Sequence, residues 1–91
     1  MTTVSNELKP QLVQSVIQAW SEVLELQPVQ IGTQANFFAL GGDSMSMIKV
    51  AAMLEDQFHI QIPFDELYDL ENMDKWADYL ETLLLVEQMT H

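Results

Sequence analysis

The chain has 91 residues, a formal net charge of −11, no arginine and no cysteine; a chain this short forms one domain and buries only about 60–65% of the surface that its unfolded form exposes. That excludes two lobes around a large active-site cleft, and the missing cysteine excludes disulfides, thiolate metal sites and thiol catalysis and favours the cytoplasm. Three scattered lysines cannot neutralise phosphates, so nucleic acid and anionic membrane are excluded as partners, and basic proteins are favoured.

The first predicted element is an amphipathic helix over residues 8–26. Pro10 is tolerated best in a first turn, where backbone N–H groups have no intrahelical partner, so the predicted start lies near residues 7–9. A long connection over residues 27–43 follows, and a loop of this length in a small domain usually has a function. The apolar positions that define the helix recur at helical spacing: Leu12, Val13, Val16, Ile17, Trp20, Val23 and Leu24.

The second predicted helix covers residues 44–58 and has two different sides. The side predicted to face the core carries Met47, Ile48, Ala51, Leu54 and Phe58. The neighbouring side carries Met45, Lys49, Ala52, Met53 and Asp56. A buried stripe does not explain this mixed apolar surface, so we expect part of it to be exposed.

The rest of the chain predicts one short helix and one long helix. Pro63 suits the start of a short helix through Tyr68, and Asn72 is an acceptable N-cap for the last helix. Residues 59–62 are the one weak strand candidate. The sequence therefore predicts an all-α, small four-helix bundle, three long helices plus one short, as a single domain over residues 1–91 with its core at about 8–85. The predicted inner face of the last helix is Met73, Trp76, Ala77, Leu80, Leu83 and Leu84, and the predicted aromatic core is Trp20, Phe37, Phe38, Phe58, Phe64 and Trp76.

Acidic side chains are concentrated between residues 65 and 81, where Lys75 is the one basic residue. This acidic strip is either a solvated face or a docking surface for a partner, and the sequence leaves both open. Its members are Asp65, Glu66, Asp69, Glu71, Asp74, Asp78 and Glu81.

The sequence offers no self-contained catalytic or metal site. The chain has two histidines; His59 follows Ser44 by about 15 residues, or roughly 22 Å along a helix, and His91 lies in the tail, so neither suits Ser44 as a base. The acidic residues lack the ligand spacing of a calcium loop, and Gly41-Gly42 lacks the Lys-Ser/Thr of a phosphate-binding loop. The longest apolar run, Val50 to Leu54, is far shorter than a membrane span.

The most informative motif is Gly41-Gly42-Asp43-Ser44, at the junction of the long connection and the second helix. Two glycines allow a sharp turn that leaves the following side chains uncovered. A phosphodiester on the oxygen of Ser44 would lie at the positive end of the helix dipole. The plain structural alternative is a glycine-rich loop followed by an Asp or Ser N-cap.

Together with Asn36-Phe37-Phe38-Ala39-Leu40 before it, an amphipathic helix after it, and Ile62-Pro63 further on, this motif resembles the acyl and peptidyl carrier proteins of polyketide and nonribosomal peptide biosynthesis. The resemblance implies that Ser44 receives 4′-phosphopantetheine from coenzyme A, transferred by a phosphopantetheinyl transferase that supplies the base and Mg²⁺. It also implies that Asp43 helps to recruit this enzyme and its metal. Because the reactive thiol belongs to the arm, a chain without cysteine can still form thioesters.

The resemblance further implies a non-catalytic, monomeric carrier whose second helix is recognised by an adenylation or other acyl-loading enzyme and by downstream condensing or tailoring enzymes. The residues implied in that recognition are Met45, Lys49, Ala52 and Met53. Two departures from the family pattern are Met45 in place of the usual Leu and the absence of Pro-Thr before the last helix.

The sequence leaves the cargo and the context open. The double glycine and the Phe-Phe pair favour a peptidyl carrier, whereas Asp43, where peptidyl carriers often have His, points partly toward an acyl carrier. A start at Met1 favours a free-standing carrier, although a domain excised from a megasynthase would look the same. An acidic helical adaptor that binds proteins without a prosthetic group is the alternative function, and a hydrolase using Ser44 is disfavoured by the missing histidine.

Overall fold

The computed structural model describes residues 4–89, with side chains from residue 8 to residue 87. Three α-helices follow in chain order: α1 (Val4–Leu24), α2 (Ser44–Phe58) and α3 (Met73–Met89). A first short helix (Pro28–Gln30) and a second short helix (Phe64–Asp69), both of 3₁₀ type, lie between them. No strand occurs within residues 4–89, and residues 60–63, which include most of the weak strand candidate, have no regular secondary structure. The predicted all-α bundle of three long helices and one short helix is thus confirmed.

The start of α1 was predicted wrongly, because the helix begins at Val4 and contains Pro10 in its interior. Proline lacks an N–H, so one helical hydrogen bond is missing at this position. The residue beside Pro10 contacts α3: the Nζ of Lys9 lies 3.0 Å from a carboxylate oxygen of Asp74 and 2.8 Å from one of Asp78. The hydrogen bonds that the Lys9 ammonium donates to Asp78 and to Asp74 also raise the pKa of Lys9 above its ordinary value.

Three aromatic side chains form the centre of the core, one from each of α1, the long connection and α3. The rings of Trp20, Phe37 and Trp76 are at most 1% exposed, and their centroids are 5.1–5.6 Å apart. Edge-to-face and tilted packing of this kind adds to the stabilisation that burial alone gives. Two other predicted core rings are surface residues: Phe38 is 39% exposed and Phe64 is 42% exposed, so those two predictions were wrong.

The buried stripe of α2 consists of Met47, Val50, Ala51 and Leu54, with Phe58 half-buried. Ile48 was predicted to belong to this stripe, but its side chain is 41% exposed. Residue 48 follows residue 45 by three positions and precedes residue 52 by four, so Ile48 lies on the same face as Met45 and Ala52. Val50, which was not assigned to the stripe, is buried on its opposite edge, so the buried face is rotated away from Ile48.

Residues 33–36 of the long connection are bonded to the start of α3. The backbone N–H of Met73 donates to the carbonyl oxygen of Ala35, and that of Asp74 donates to Thr33, both at 2.9 Å. Asn72 caps the helix as predicted, since its Oδ1 accepts from the N–H of Lys75 at 2.9 Å. The connection is therefore fixed to the bundle before it reaches Ser44.

Candidate functional site

The segment that leads to Ser44 is a tightly bonded turn. The Asn36 side chain donates to the carbonyl oxygen of Glu71 at 2.7 Å and accepts from the N–H of Ala39 at 3.0 Å. Three backbone bonds close the turn: Leu40 to Asn36 at 3.1 Å, Gly41 to Phe38 at 3.0 Å, and Gly42 to Phe37 at 3.0 Å. Ser44 is thus carried by a fixed loop.

The two glycines before Asp43 serve different purposes. Gly41 has a φ of +104°, a conformation that L side chains rarely adopt. Gly42 lies against the Phe37 ring, because a Cβ at this position would come within 2.3 Å of a ring carbon. One glycine therefore allows the turn, and the other lets the backbone approach the buried aromatic cluster.

Asp43 is the N-cap of α2, as the plain structural alternative predicted. Its Oδ1 accepts hydrogen bonds from the backbone N–H and from the hydroxyl of Ser46, both at 2.8 Å. The bond from the Ser46 backbone, followed by the bond from its hydroxyl, holds the pKa of Asp43 below its ordinary value. A capping role does not conflict with recruitment of a transferase, because the Asp43 side chain is on the surface.

Ser44 is the first residue of α2 and is exposed. Within the part of the chain that the structure describes, the backbone N–H groups of Ser44 and Met45 have no protein partner. Unpaired N–H groups at a helix N-terminus favour an anion. The residues present therefore fit a phosphodiester on the Ser44 oxygen.

Sequence reasoning missed Tyr68, which contacts Ser44 directly. The Tyr68 hydroxyl donates to the Ser44 Oγ at 2.7 Å. The Tyr68 ring is stacked on Phe38, with centroids 5.8 Å apart and an interplanar angle of 15°. Residues 44 and 68 are too far apart in the sequence for any local pattern to predict this contact.

The predicted partner face of α2 is largely on the surface. Met45 is 65% exposed, Lys49 and Ala52 are exposed, and Met53 is half-buried. Ile48 joins this face as an apolar residue that the sequence analysis assigned to the core. The surface around Ser44 is therefore more apolar than predicted.

Among the residues that the structure describes, histidine and acidic side chains form no second site near Ser44. His59 ends α2 in the left-handed conformation, at the end of the helix opposite Ser44, and His91 lies outside the described residues. Residues 4–89 contain no group of three or more side chains suited to bind a metal. None of the helices in this range is both long and apolar enough to cross a membrane.

The acidic strip is not one uniform face. Asp74 and Asp78 are paired with Lys9, and Glu66 accepts a hydrogen bond from the Tyr79 hydroxyl. Asp65, Asp69 and Glu71 are exposed. Only part of the strip is thus available to a partner.

An all-α bundle that presents an exposed serine at a helix start, with no histidine beside it among the described residues, has the features of a domain that another enzyme modifies. The family profile described as "Phosphopantetheine attachment site" matches residues 14–80. The chain belongs to this family: it is a carrier domain with covalently attached 4′-phosphopantetheine as its cofactor, and carrier domains of this kind are not catalytic.

Similar segments occur in large synthetases. The chain is 32% identical over 60 residues to N-(5-amino-5-carboxypentanoyl)-L-cysteinyl-D-valine synthase of Penicillium rubens, which covers 66% of this chain and 2% of that protein. It is 44% identical over 55 residues to the nonribosomal peptide synthetase sidD of Aspergillus fumigatus, and the match covers 60% of this chain and 3% of that protein. It is 32% identical over 76 residues to gramicidin S synthase 2 of Brevibacillus brevis, and the match covers 84% of this chain and 2% of that protein. The chain thus spans only 2–3% of the length of these relatives. No solved structure matches the chain.

Proposed function

We propose that Ser44 is the residue that bears 4′-phosphopantetheine, and that the chain holds aminoacyl or peptidyl groups as thioesters on this arm during nonribosomal peptide biosynthesis. The observation that carries the proposal is the exposed Ser44 hydroxyl at the N-terminus of α2, beside two unpaired backbone N–H groups. The cargo class is supported by the similarity to peptide synthetases from both fungi and a bacterium.

Attachment of the arm requires one bond to form and one to break. The Ser44 Oγ bonds to the phosphorus that carries the pantetheine in coenzyme A, the pyrophosphate bond breaks, and adenosine 3′,5′-bisphosphate leaves. A base of the phosphopantetheinyl transferase takes the proton of the serine hydroxyl, because His59, the histidine that the structure describes, lies at the opposite end of α2. We assign Asp43 to recognition of the transferase and its Mg²⁺, since its carboxylate lies on the surface next to the reacting serine.

The partner surface proposed for the loading, condensing and tailoring enzymes is the exposed side of α2. This surface includes the four residues predicted from the sequence, Met45, Lys49, Ala52 and Met53. It also includes Ile48, which is exposed. Methionine is flexible and polarizable, and therefore suits a surface that must fit several partners in turn. A monomeric state and a cytoplasmic location remain predictions from the sequence.

Intact-mass measurement tests the proposal. The chain is incubated with coenzyme A and a broad-specificity phosphopantetheinyl transferase, and the expected result is a mass gain of one phosphopantetheine unit. Ser44→Ala should abolish the gain, whereas Ser46→Ala, a matched change two residues along the same helix, should keep it. No gain on the native chain, or a gain on Ser44→Ala, would refute the assignment, and partner binding without any gain would support the adaptor alternative.

A further inference from the structure

We propose that Tyr68 and Phe38 form a contact for the base of the arm on the carrier's own surface, and that the Tyr68 hydroxyl is a positioning group for the phosphodiester on Ser44. This inference depends on the proposed attachment at Ser44. It assigns a role to two surface aromatic residues that neither the core nor the partner face of α2 explains.

The position of Tyr68 is fixed by its neighbours. Its hydroxyl lies 2.7 Å from the Ser44 Oγ. The second short helix, which carries Tyr68, is anchored to the core by Leu67, whose side chain is 1% exposed. The same helix is tied to α3, because the hydroxyl of Tyr79 donates to the carboxylate of Glu66. The contact with Ser44 therefore belongs to the packed structure of the bundle.

Phe38 is held in a similar way on the other side of Tyr68. Its carbonyl oxygen accepts from the N–H of Gly41, and its ring lies edge-on to Phe37 with the centroids 5.8 Å apart. The stacked rings of Phe38 and Tyr68 are 39% and 41% exposed. They offer an apolar surface directly beside the attachment oxygen.

The first two groups of the arm match this surface: the phosphate can accept from the Tyr68 hydroxyl, and the pantoyl unit can contact the exposed rings. Once Ser44 is esterified, its Oγ is a bridging oxygen, and the negative charge lies on the other oxygens of the same phosphorus. A donor that reaches Oγ in the unmodified chain is within reach of these oxygens, and hydrogen bonds to charged acceptors are roughly twice as strong as neutral ones. The next part of the arm is the pantoyl unit, whose two geminal methyl groups are apolar and suit the exposed rings.

The contact directs the first bonds of the arm toward the second short helix. The exposed side of α2, with Met45 and Ile48, would then stay uncovered while the arm rests on the carrier. A partner that binds α2 would not have to displace the base of the arm. This separates the surface that is recognised from the surface that holds the arm.

NMR of the holo-protein tests the inference. The arm is attached enzymatically, its presence on Ser44 is verified by intact mass, and the two pantoyl methyl resonances are observed. We expect nuclear Overhauser effects from these methyls to the rings of Phe38 and Tyr68. We also expect upfield shifts of the methyls relative to free coenzyme A, because protons above an aromatic ring are shielded.

Three variants separate the contributions. Tyr68→Phe keeps the ring and removes the hydroxyl. It should shift the ³¹P resonance of the phosphodiester and weaken the nuclear Overhauser effects from the pantoyl methyls to the rings. Phe38→Leu removes one of the two rings and should reduce the upfield methyl shift, because the Tyr68 ring remains. Tyr79→Phe removes the other tyrosine hydroxyl of the chain, which bonds to Glu66 on the same short helix, but keeps the Tyr68 hydroxyl, and should therefore change both signals less than Tyr68→Phe does. Amide spectra of the unmodified variants verify that each one is folded.

The outcomes distinguish this inference from the proposed function. A chain that never gains the arm overturns both. The contact is overturned, and the carrier role left intact, if the pantoyl methyls of the native holo-protein have the chemical shifts of free coenzyme A. The same conclusion requires that they show no nuclear Overhauser effect to the ring of Phe38 or of Tyr68. If Tyr79→Phe changes the ³¹P signal as much as Tyr68→Phe, the position of the short helix is responsible and the role of the Tyr68 hydroxyl is refuted.

Discussion

Replacing Gly42 by alanine tests how the loop before Ser44 is supported. The added Cβ would lie 2.3, 2.5 and 2.8 Å from three carbons of the Phe37 ring, whereas ordinary contact begins at 3.4 Å. The ring cannot move away easily, because it is 1% exposed and packs against Trp20 and Trp76. The loop itself must therefore shift by about 1 Å, which loosens the bond from the Gly42 N–H to the Phe37 carbonyl.

We expect Gly42→Ala to lower the free energy of unfolding by about 1–3 kcal/mol, the usual cost of overpacking. For a domain of this size each kcal/mol lowers the melting temperature by about 4–8 °C. Urea unfolding followed by far-UV circular dichroism and by tryptophan fluorescence measures the change, since both tryptophans lie beside Phe37. The rate of phosphopantetheine attachment should fall as well, because Asp43 and Ser44 move with the loop.

The other two glycines are the matched controls. Gly32 has open space around its Cβ position and no positive φ, so Gly32→Ala should be neutral or slightly stabilising. Gly41 also has open space but a φ of +104°, so Gly41→Ala should cost about 1–2 kcal/mol for backbone reasons alone. Phe37→Leu removes the ring that the added Cβ meets, so it should restore part of the stability lost in Gly42→Ala. It should restore none of the stability lost in Gly41→Ala. The reasoning fails if Gly42→Ala unfolds at the same urea concentration as Gly32→Ala.

Three further predictions concern the surface around Ser44. Met45→Asp should leave the circular dichroism spectrum unchanged, since Met45 is 65% exposed, and should reduce loading by a partner enzyme about tenfold or more, as loss of an apolar interface residue does. The pKa of Asp43 is lowered, so its contribution to stability is present near neutral pH and is lost as the pH falls below about 4; the difference in melting temperature between the native chain and Asp43→Ala should narrow from pH 5 to pH 3. The double variant Asp65→Asn, Asp69→Asn should reduce the salt dependence of partner binding, which exposed charges confer within about 10 Å at 0.1 M salt, more than the double variant Asp74→Asn, Asp78→Asn, which removes the same number of charges from carboxylates already paired with Lys9.

Each of these predictions has a control or a contradicting result. Val29 is 91% exposed on the first short helix, so Val29→Asp is the matched change away from α2; an equal loss of loading in that variant would argue against the α2 face. A difference in melting temperature that stays constant from pH 7 to pH 3 would show that the Asp43 carboxylate does not stabilise the helix. If Asp74→Asn, Asp78→Asn lowers the salt dependence as much as Asp65→Asn, Asp69→Asn, total charge and not the exposed part of the strip governs binding.

The existence of the helices and the exposure of Ser44 could be predicted because both depend on local patterns. Apolar residues at a 3.6 period define α1, α2 and α3, and a Gly-Gly-Asp-Ser junction is informative about a helix start without knowledge of the fold. The assignment of Asn72 as a cap succeeded for the same reason. What these successes share is that each depends on residues within one or two turns of each other.

The errors arose where tertiary packing decides between neighbouring positions. Ile48 and Val50 are both apolar, and periodicity alone could not tell which of them faces α1 and which faces solvent. The rings of Phe37 and Phe38 are adjacent in sequence, yet only one fits between the two tryptophans. The helix continues on both sides of Pro10, and Lys9 beside it is paired with Asp74 of α3, a contact over more than sixty residues of sequence. The Tyr68 hydroxyl reaches Ser44 for the same kind of reason.

The first turn of α3 is hydrogen-bonded to the loop that leads to Ser44, so amide exchange in this turn reports on the state of that loop. The amides of Met73 and Asp74 are protected by carbonyl groups of that loop and not by their own helix. Exchange of these two protons with deuterium therefore requires the loop to leave the bundle, even though they are distant in sequence from the serine. A partner or variant that detaches the loop would be detected there first, and the loop and the start of α3 should open as one cooperative unit.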